Sequence, residues 1–342
     1  MNDLTPARLR ELKRDATMRP YDLAQQLGVS EAALVEADLG HGVRRIDPTL
    51  GRLIPAIGEL GEVMALTRNR SCVIEKIGAY VDFHDGDHAA MTLGAEIDLR
   101  MFPRHWVHAY AVESPDGARR SVQVFDAAGD AVHKVHLRNA SDPGAWDRLC
   151  DGLALADQDG LSAFLPRADP EGARLAEDRA ETLREEWARM TDTHQFNTLV
   201  RRLKMNRLGA YRLAGAPLAR QLSPQAVPDL LKRVRDGGQQ IMFFVGNAGC
   251  IEIHSGPIHV LKPTGPWLNV LDEGFNLHLR ADHVAEVWLV DKPTKRGAAI
   301  SVEAFDPHGD LIFQCFGMRQ EKGGDPAAWS DLVARLPVVE TA

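Results

Sequence analysis

Of the thirteen histidines in this chain, one is set apart by its neighbours. His194 lies in Trp187-Ala188-Arg189-Met190-Thr191-Asp192-Thr193-His194-Gln195-Phe196-Asn197-Thr198-Leu199-Val200-Arg201-Arg202-Leu203. Read as a helix at about 100° per residue, Phe196, Leu199, Val200 and Leu203 fall nearly opposite His194. If the helix is continuous, Trp187 and Met190 fall on the His194 side. One imidazole among large apolar groups, on a helix that buries its other face, is what a flat apolar cofactor with a metal centre needs. A domain-interface histidine is the competing reading, and geometry alone favours it. His105, His108, His133, His136, His254, His259 and His278 lie in or beside predicted strands, where partly exposed structural histidines are ordinary. His84 and His88 have the i, i+4 spacing of a helical zinc site. Asp85-Gly86-Asp87 between them reads as a turn, however, and no third ligand suggests itself. Gly246-x-x-Gly249 lacks the Lys-Ser/Thr of a phosphate loop. None of the four cysteines forms a C-x-x-C pair, which argues against a disulfide framework or structural zinc. Cys72 and Cys250, within apolar runs, read as buried free thiols in a reducing compartment.

The elements that would position His194 occur twice, but His194 does not. Leu66-Thr67-Arg68-Asn69-Arg70-Ser71-Cys72-Val73-Ile74-Glu75-Lys76-Ile77-Gly78 recurs as Phe244-Val245-Gly246-Asn247-Ala248-Gly249-Cys250-Ile251-Glu252-Ile253-His254-Ser255-Gly256, where Asn, Cys and Gly keep one offset (247 − 69 = 250 − 72 = 256 − 78 = 178). Ser121-Val122-Gln123-Val124-Phe125-Asp126 matches Ser301-Val302-Glu303-Ala304-Phe305-Asp306, and Leu99-Arg100 matches Leu279-Arg280, both at an offset of 180 (301 − 121 = 280 − 100). Several blocks in one order indicate a tandem duplication, with a first repeat over 1–160 and a second over 161–342. The first-repeat stretch equivalent to the His194 segment, roughly Arg14 to Tyr21, contains no histidine.

A hydrophobic fraction of 44% and a charged fraction of 26% are those of a globular protein. A net charge of −8 disfavours indiscriminate binding to nucleic acid or anionic membrane. No apolar run is long enough to span a bilayer, and the N-terminus lacks a signal-peptide pattern. Residues from about 5 to 60 read as helical, with short helices at Asp22–Leu27 and Ser30–Val35, the second capped by Ser30. Val63 to Arg138 reads as short strands broken by Asp-Gly turns, and a helix around Trp146 to Leu155 closes the first repeat. Ala156 to Gly172 reads as a linker. The second repeat follows the same order: helices from Ala173 to Val234, strands from Gln240 to Gly317, and a helix near Trp329. Segregated strands and helices predict an α+β fold with antiparallel sheets.

Tyr21-Asp22-Leu23-Ala24-Gln25-Gln26-Leu27-Gly28-Val29-Ser30-Glu31-Ala32-Ala33-Leu34 has the pattern of a helix-turn-helix. Its second helix, Glu31 to Asp38, is acidic and carries no Arg, Lys, Asn or Gln to read bases, which argues against DNA binding.

Taken together, Thr191-Asp192-Thr193-His194-Gln195-Phe196, Trp267-Leu268-Asn269-Val270-Leu271, Phe275-Asn276-Leu277-His278-Leu279-Arg280, Phe316-Gly317-Met318-Arg319, Leu66-Thr67-Arg68-Asn69 and Asp98-Leu99-Arg100-Met101-Phe102 resemble the cytoplasmic hemin transport and degradation factors of the HemS, ChuS and PhuS type. The resemblance covers essentially the whole chain, including the duplication. It implies two α+β halves, each a large antiparallel sheet with helices, packed as a saddle with one heme at their junction. By motif it makes His194 the proximal iron ligand and Arg100 the distal arginine. Arg207, Lys292 and Arg319 fall on cations that hold the propionates, and Phe316 on an aromatic near the ring. Heme needs a neutral imidazole on iron, an apolar slot and cations for two carboxylates. Plainer readings exist for each: a solvated helix face for Arg207, an exposed hairpin turn for Lys292, a surface ion pair for Arg319, and a structural role common to both repeats for Arg100 and Arg280. The further first-half heme histidine of some members has no counterpart in Ser71-Cys72-Val73-Ile74.

The expected function is that of a cytoplasmic carrier that takes up imported heme b and passes it to an acceptor such as a heme oxygenase. The alternative is an enzyme that opens the porphyrin ring with electrons from a partner reductase, since the chain has no flavin or nicotinamide motif. A heme-responsive DNA-binding regulator rests on the helix-turn-helix pattern alone.

Overall fold

The structure, a computed structural model, describes residues 4–339. The chain divides into two compact units. Unit 1 comprises Met1–Arg68, Ile74–Ala168 and Gly246–Glu252; unit 2 comprises Asn69–Val73, Asp169–Val245 and Ile253–Ala342. Among the described residues no helix is long and apolar enough to cross a membrane.

The first repeat opens with α1 (Pro6–Asp15), α2 (Pro20–Leu27) and α3 (Glu31–Glu36). Short polar side chains start two of these. Thr5 accepts from the Arg8 N–H and Ser30 from the Ala33 N–H, each meeting an amide the first turn leaves bare. Gly28 ends α2 in the left-handed region (φ 66°), which costs a glycine nothing. All six residues of α3 are buried. Ala32 and Val35 pack with Val43, Tyr110 and Phe125, and Glu31 takes ion pairs from Arg68 and Lys134. The second helix of the helix-turn-helix pattern therefore presents no free face to a DNA groove.

The chain continues through β1 (Val43–Ile46), α4 (Leu50–Gly58), β2 (Val63–Arg68), β3 (Cys72–Gly78), β4 (Phe83–His84), β5 (Ala90–Leu93), β6 (Asp98–Met101), β7 (His108–Glu113), β8 (Arg120–Phe125), β9 (Ala131–Leu137) and α5 (Pro143–Leu153). The sheet order is β1-β7-β8-β9-β2-β3, and β4, β5 and β6 form an antiparallel meander. The strand β2 alternates buried and half-buried residues, so one pleat face, with Val63 and Ala65, meets the apolar sides of α4 and α5. The sequence reading missed β1: Val-Arg-Arg-Ile is short and half charged, and it is a strand because β7 offers four residues of register.

The second repeat holds α6 (Ala180–Ala188), α7 (Gln195–Arg202), α8 (Arg207–Ala214), β10 (Ala219–Leu222), α9 (Ala226–Gly237), β11 (Ile241–Gly246), β12 (Cys250–Gly256), β13 (Leu261–Thr264), β14 (Trp267–Asp272), β15 (Phe275–Arg280), β16 (Glu286–Lys292), β17 (Ala299–Phe305), β18 (Leu311–Gly317) and α10 (Pro326–Ala334). Its order β10-β16-β17-β18-β11-β12 is that of the first repeat, strand for strand, and β13 to β15 repeat the meander. The fold is thus α+β with antiparallel strand pairing, built twice. All four cysteines are buried and free.

Each unit includes a few residues from the other repeat, and the repeated asparagine explains how they are held. In unit 1, Asn247 Oδ1 accepts from the N–H groups of Gly249 and Cys250, closing a tight turn. Its Nδ2 donates to the carbonyls of Arg68 (2.9 Å) and Val132 (2.8 Å). In unit 2, Asn69 does the same for Ser71 and Cys72 and donates to the Ile312 carbonyl at 2.8 Å.

Candidate functional site

The expected helix through His194 is not continuous. The helix α6 stops at Ala188, and α7 starts at Gln195. Asp192 and Gln195 interrupt it. Asp192 Oδ1 accepts from the His194 N–H at 2.8 Å, while Gln195 Oε1 accepts from the N–H groups of Thr191 (2.8 Å) and Asp192 (3.3 Å). The two side chains close a tight turn just ahead of α7. Trp187 and Met190 consequently turn into the core of unit 2 rather than lining the His194 side; the Trp187 indole N–H donates to the Asp291 carbonyl at 2.8 Å.

The break leaves His194 at the very start of α7 with its side chain 94% exposed. Its Nδ1 lies 2.7 Å from Asp192 Oδ1. Asp192 is held below the usual carboxylate range, first by the His194 backbone N–H, then by the His194 side chain, with Arg319 adding at longer range. A carboxylate on Nδ1 accepts its proton, fixes the tautomer and leaves Nε2, which has no hydrogen-bond partner among the described residues, as an outward, unprotonated lone pair. Arg319, exposed just past β18, shares this neighbourhood. The Lys295 N–H donates to the Thr191 carbonyl at 3.0 Å, which ties the His194 turn to the loop after β16.

Two further predicted cations come together two residues beyond, under the Phe196 ring. Lys292 ends β16 and is 2% exposed, so it is no exposed turn lysine. Arg207 begins α8 and is not a solvated helix face. Both point at Glu303 of β17, itself 0% exposed. Lys292 Nζ donates to Glu303 Oε1 at 2.7 Å and Arg207 Nη1 to Oε2 at 3.0 Å. Tyr211 OH donates to Oε2 at 2.8 Å, and Ser301 Oγ to Oε1 at 2.8 Å. Burial opposes the Glu303 charge, but Lys292 and Arg207 outweigh it and bring the carboxyl down to about 2. Lys292 Nζ lies 5.0 Å and Arg207 Cζ 5.8 Å from the centroid of Phe196. That ring also meets Trp187 edge-on at 4.6 Å and Tyr211 at 5.5 Å. The four donors gathered on Glu303, the Glu303 quartet, and the aromatic stack thus brace the first turn of α7, at whose start His194 lies.

Phe316, half-buried on β18, packs edge-on against Phe244 at 5.5 Å. Arg100 belongs to unit 1, on β6, where it forms an ion pair with Asp98 and donates to the Leu99 carbonyl at 3.0 Å. Its repeat equivalent Arg280 pairs with Asp282 at 2.7 Å. Asp192, Tyr211 and Glu303 were missed by sequence reasoning. Asp192 is a common turn residue, and a glutamate inside the apolar run of β17 signals a buried, paired charge.

A duplicated α+β scaffold with one outward imidazole beside buried cations has known relatives. The family described as the haemin-degrading HemS.ChuX domain matches residues 28–153 and again 204–336. The chain belongs to this family. It is 36% identical to the hemin transport protein HmuS of Yersinia pestis over 318 residues, 92% of each chain. It is 37% identical to the hemin transport protein HemS of Yersinia enterocolitica over 320 residues, again 92% of each. The structure of holo-PhuS, a heme-binding protein from Pseudomonas aeruginosa, superimposes with a TM-score of 0.92 at 40% identity, covering 98% of this chain and 100% of PhuS. ChuS, described as an E. coli heme oxygenase, gives a TM-score of 0.85 at 32% identity, covering 96% and 98%.

Proposed function

We propose that this protein binds one heme b per chain through His194 of the second repeat (161–342) and hands it to an acceptor protein in the cytoplasm. The observation that carries the reading is the His194–Asp192 pair: a fully presented imidazole whose Nδ1 is engaged by a carboxylate and whose Nε2 points outward. That donor set fits heme iron, which takes a neutral imidazole nitrogen. Heme, when bound, supplies the metal and a flat apolar ring; the chain supplies orientation and charge. Phe316 is the aromatic group we assign to its surroundings, and Arg207, Lys292 and Arg319 the cations we assign to its carboxylates. The acidic chain must provide such cations locally, and the Glu303 quartet gathers two of them. Four free buried thiols accord with a reducing compartment.

The test is a heme titration followed at the Soret band. It should saturate at one equivalent, and His194→Ala should alter the ferric spectrum and speed heme loss by tenfold or more, roughly the loss of one strong polar contact. Two equal tight sites, or a His194→Ala protein with wild-type spectrum and dissociation rate, would overturn the assignment.

Ring opening is the second reading, favoured by the family description and by ChuS. Anaerobic loading followed by a reductase, oxygen and catalase separates the two. An open tetrapyrrole formed despite catalase establishes the enzyme, whereas heme passing intact to an acceptor faster than to apo-myoglobin establishes the carrier.

A further inference from the structure

The quartet beneath Phe196 carries an inference that rests on the heme-binding reading and goes beyond it. The Glu303 carboxylate accepts from four donors, two of them cations, and so has no capacity left for another. Arg207 and Lys292 share a third partner, Tyr211 OH, at 3.1 and 3.0 Å, which holds the two cations on either side of one oxygen. Two positive charges this close in a buried place repel. The group that yields is the lysine, because a guanidinium keeps its proton in proteins. The groups that act on Lys292 are Glu303 and Ser301 from β17, Arg207 and Tyr211 from α8, Asp291 from its own strand and the Phe196 ring from α7. Of these, Glu303 and Asp291 favour the ammonium form, and Glu303 is the larger.

We infer that Glu303 is the positioning residue of the carboxylate-binding site: its two oxygens set Arg207 and Lys292 side by side, and its charge offsets one of theirs. The sum over the three charged side chains is +1, so the quartet retains attraction for one ligand carboxylate while its own geometry is locked. The repeat equivalent of Glu303 is Gln123 (303 − 123 = 180), half-exposed and bonded to Ser121, so the first repeat has no such cluster at this position.

Burial brings Lys292 down to about 8 even with Glu303 in place. A ligand carboxylate is held by the ammonium form, so affinity for heme should fall as pH rises through about 8 in the wild-type protein. Without the Glu303 charge that midpoint moves to lower pH.

The experiment compares wild type, Glu303→Gln and Glu303→Asp, with heme and heme dimethyl ester as probes over a pH series. We expect Glu303→Gln to lose about tenfold or more in affinity for heme at neutral pH, the equivalent of one pKa unit of differential interaction, while ester affinity changes little. Glu303→Asp, which restores the charge, should keep the wild-type pH midpoint. Equal losses for heme and ester, or an unmoved midpoint in Glu303→Gln, would show that Glu303 only packs. If Glu303→Gln does not fold, the pH midpoint of Glu303→Asp decides, and a displaced midpoint there overturns the inference. The lysine side-chain NMR titration of the heme-free protein, assigned through Lys292→Arg, separates this from the heme reading. A Lys292 midpoint near 8 that drops in Glu303→Gln upholds the role of Glu303 even if no heme binds. A midpoint that does not drop removes it even if heme binds.

Discussion

The two repeats share a backbone plan, yet their interiors follow opposite chemistries. In unit 1 a polar chain runs through the core: Thr67 Oγ1 meets His133 Nδ1 at 2.8 Å, and Tyr80 OH meets His133 Nε2 at 2.5 Å. Close to it lies Glu252, fully buried, with neither carboxylate oxygen hydrogen-bonded. The equivalent positions in the other repeat are Val245, Phe313, Ile258 and, for Glu252, Ile74 (245 − 67 = 258 − 80 = 252 − 74 = 178; 313 − 133 = 180). There Phe313 stacks on Phe243 at 4.6 Å and nothing polar is needed. The second repeat instead concentrates its buried polarity in the Glu303 quartet. A sheet satisfies its own backbone, so each copy was free to fill its pleat differently. The comparison teaches that position in the repeat does not predict function; departures from the repeat do.

The largest effect expected from breaking this asymmetry comes from Glu303→Ala. It strands two buried cations and should cost about 3–5 kcal/mol in urea denaturation. The matching Gln123→Ala in the first repeat should stay within about 1 kcal/mol. Equal costs would mean that the quartet is no more than packing.

Glu252 gives the next effect, with a defined sign. Burial pushes its carboxyl up to about 8, with Thr67 and Lys76 opposing. A carboxyl raised above its unfolded value stabilises the fold when protonated. That contribution is whole below the unfolded value of 4.5 and is lost as pH rises through about 8. His133 and His136, depressed by burial to about 3 and about 4, act in the reverse sense at lower pH, because their contribution is lost on acidification. Between roughly pH 6.5 and 8 the Glu252 slope should therefore stand alone: wild-type melting temperature falls, on the order of 1 kcal/mol of stability per pH unit. Glu252→Gln should flatten this slope, and Glu252→Ile, copying the other repeat, should flatten it and raise stability. A slope identical in wild type and Glu252→Gln would place the proton elsewhere.

The smallest quantity to be read is a coupling energy, and it sharpens the comparison further. His133→Phe imports the second repeat's side chain but leaves Tyr80 OH and Thr67 without their partner, at about 1–3 kcal/mol. Adding Tyr80→Phe should return part of that loss, and a double-mutant cycle measures the coupling. Strict additivity would mean that the hydrogen-bond chain does not act as a unit.

Much of this was legible in the sequence. Strand runs between Asp-Gly turns, the Ser30 cap and the α+β order all follow from local chemistry, which the tertiary structure did not override. Ala-Arg-Gln-Leu of β10, like β1, was missed because a four-residue polar strand exists through its partner, here β16, and not through its own propensity. The break before His194 was readable in principle from Asp192-x-x-Gln195, but apolar periodicity masked it. Arg207 and Lys292 were named through the family resemblance; Glu303, 96 residues from Arg207, could not be joined to them by spacing alone (303 − 207 = 96).

The exchanged segments bear on how the chain emerges from the ribosome. Unit 1 ends its own run at Ala168 but needs Gly246–Glu252, whose last residue is made 84 residues later (252 − 168 = 84). At about 5–20 residues per second that is a wait of roughly 4–17 s. Throughout it Trp106 has no Gly249 carbonyl for its indole N–H, and the carbonyls of Arg68 and Val132 have no Asn247. N-terminal-first folding therefore leaves the first repeat short of these contacts until half of the second has been made. Translation past the midpoint of the second repeat becomes a condition for finishing the first, and a stop codon after Ala168 would yield an incomplete sheet edge rather than a smaller working domain.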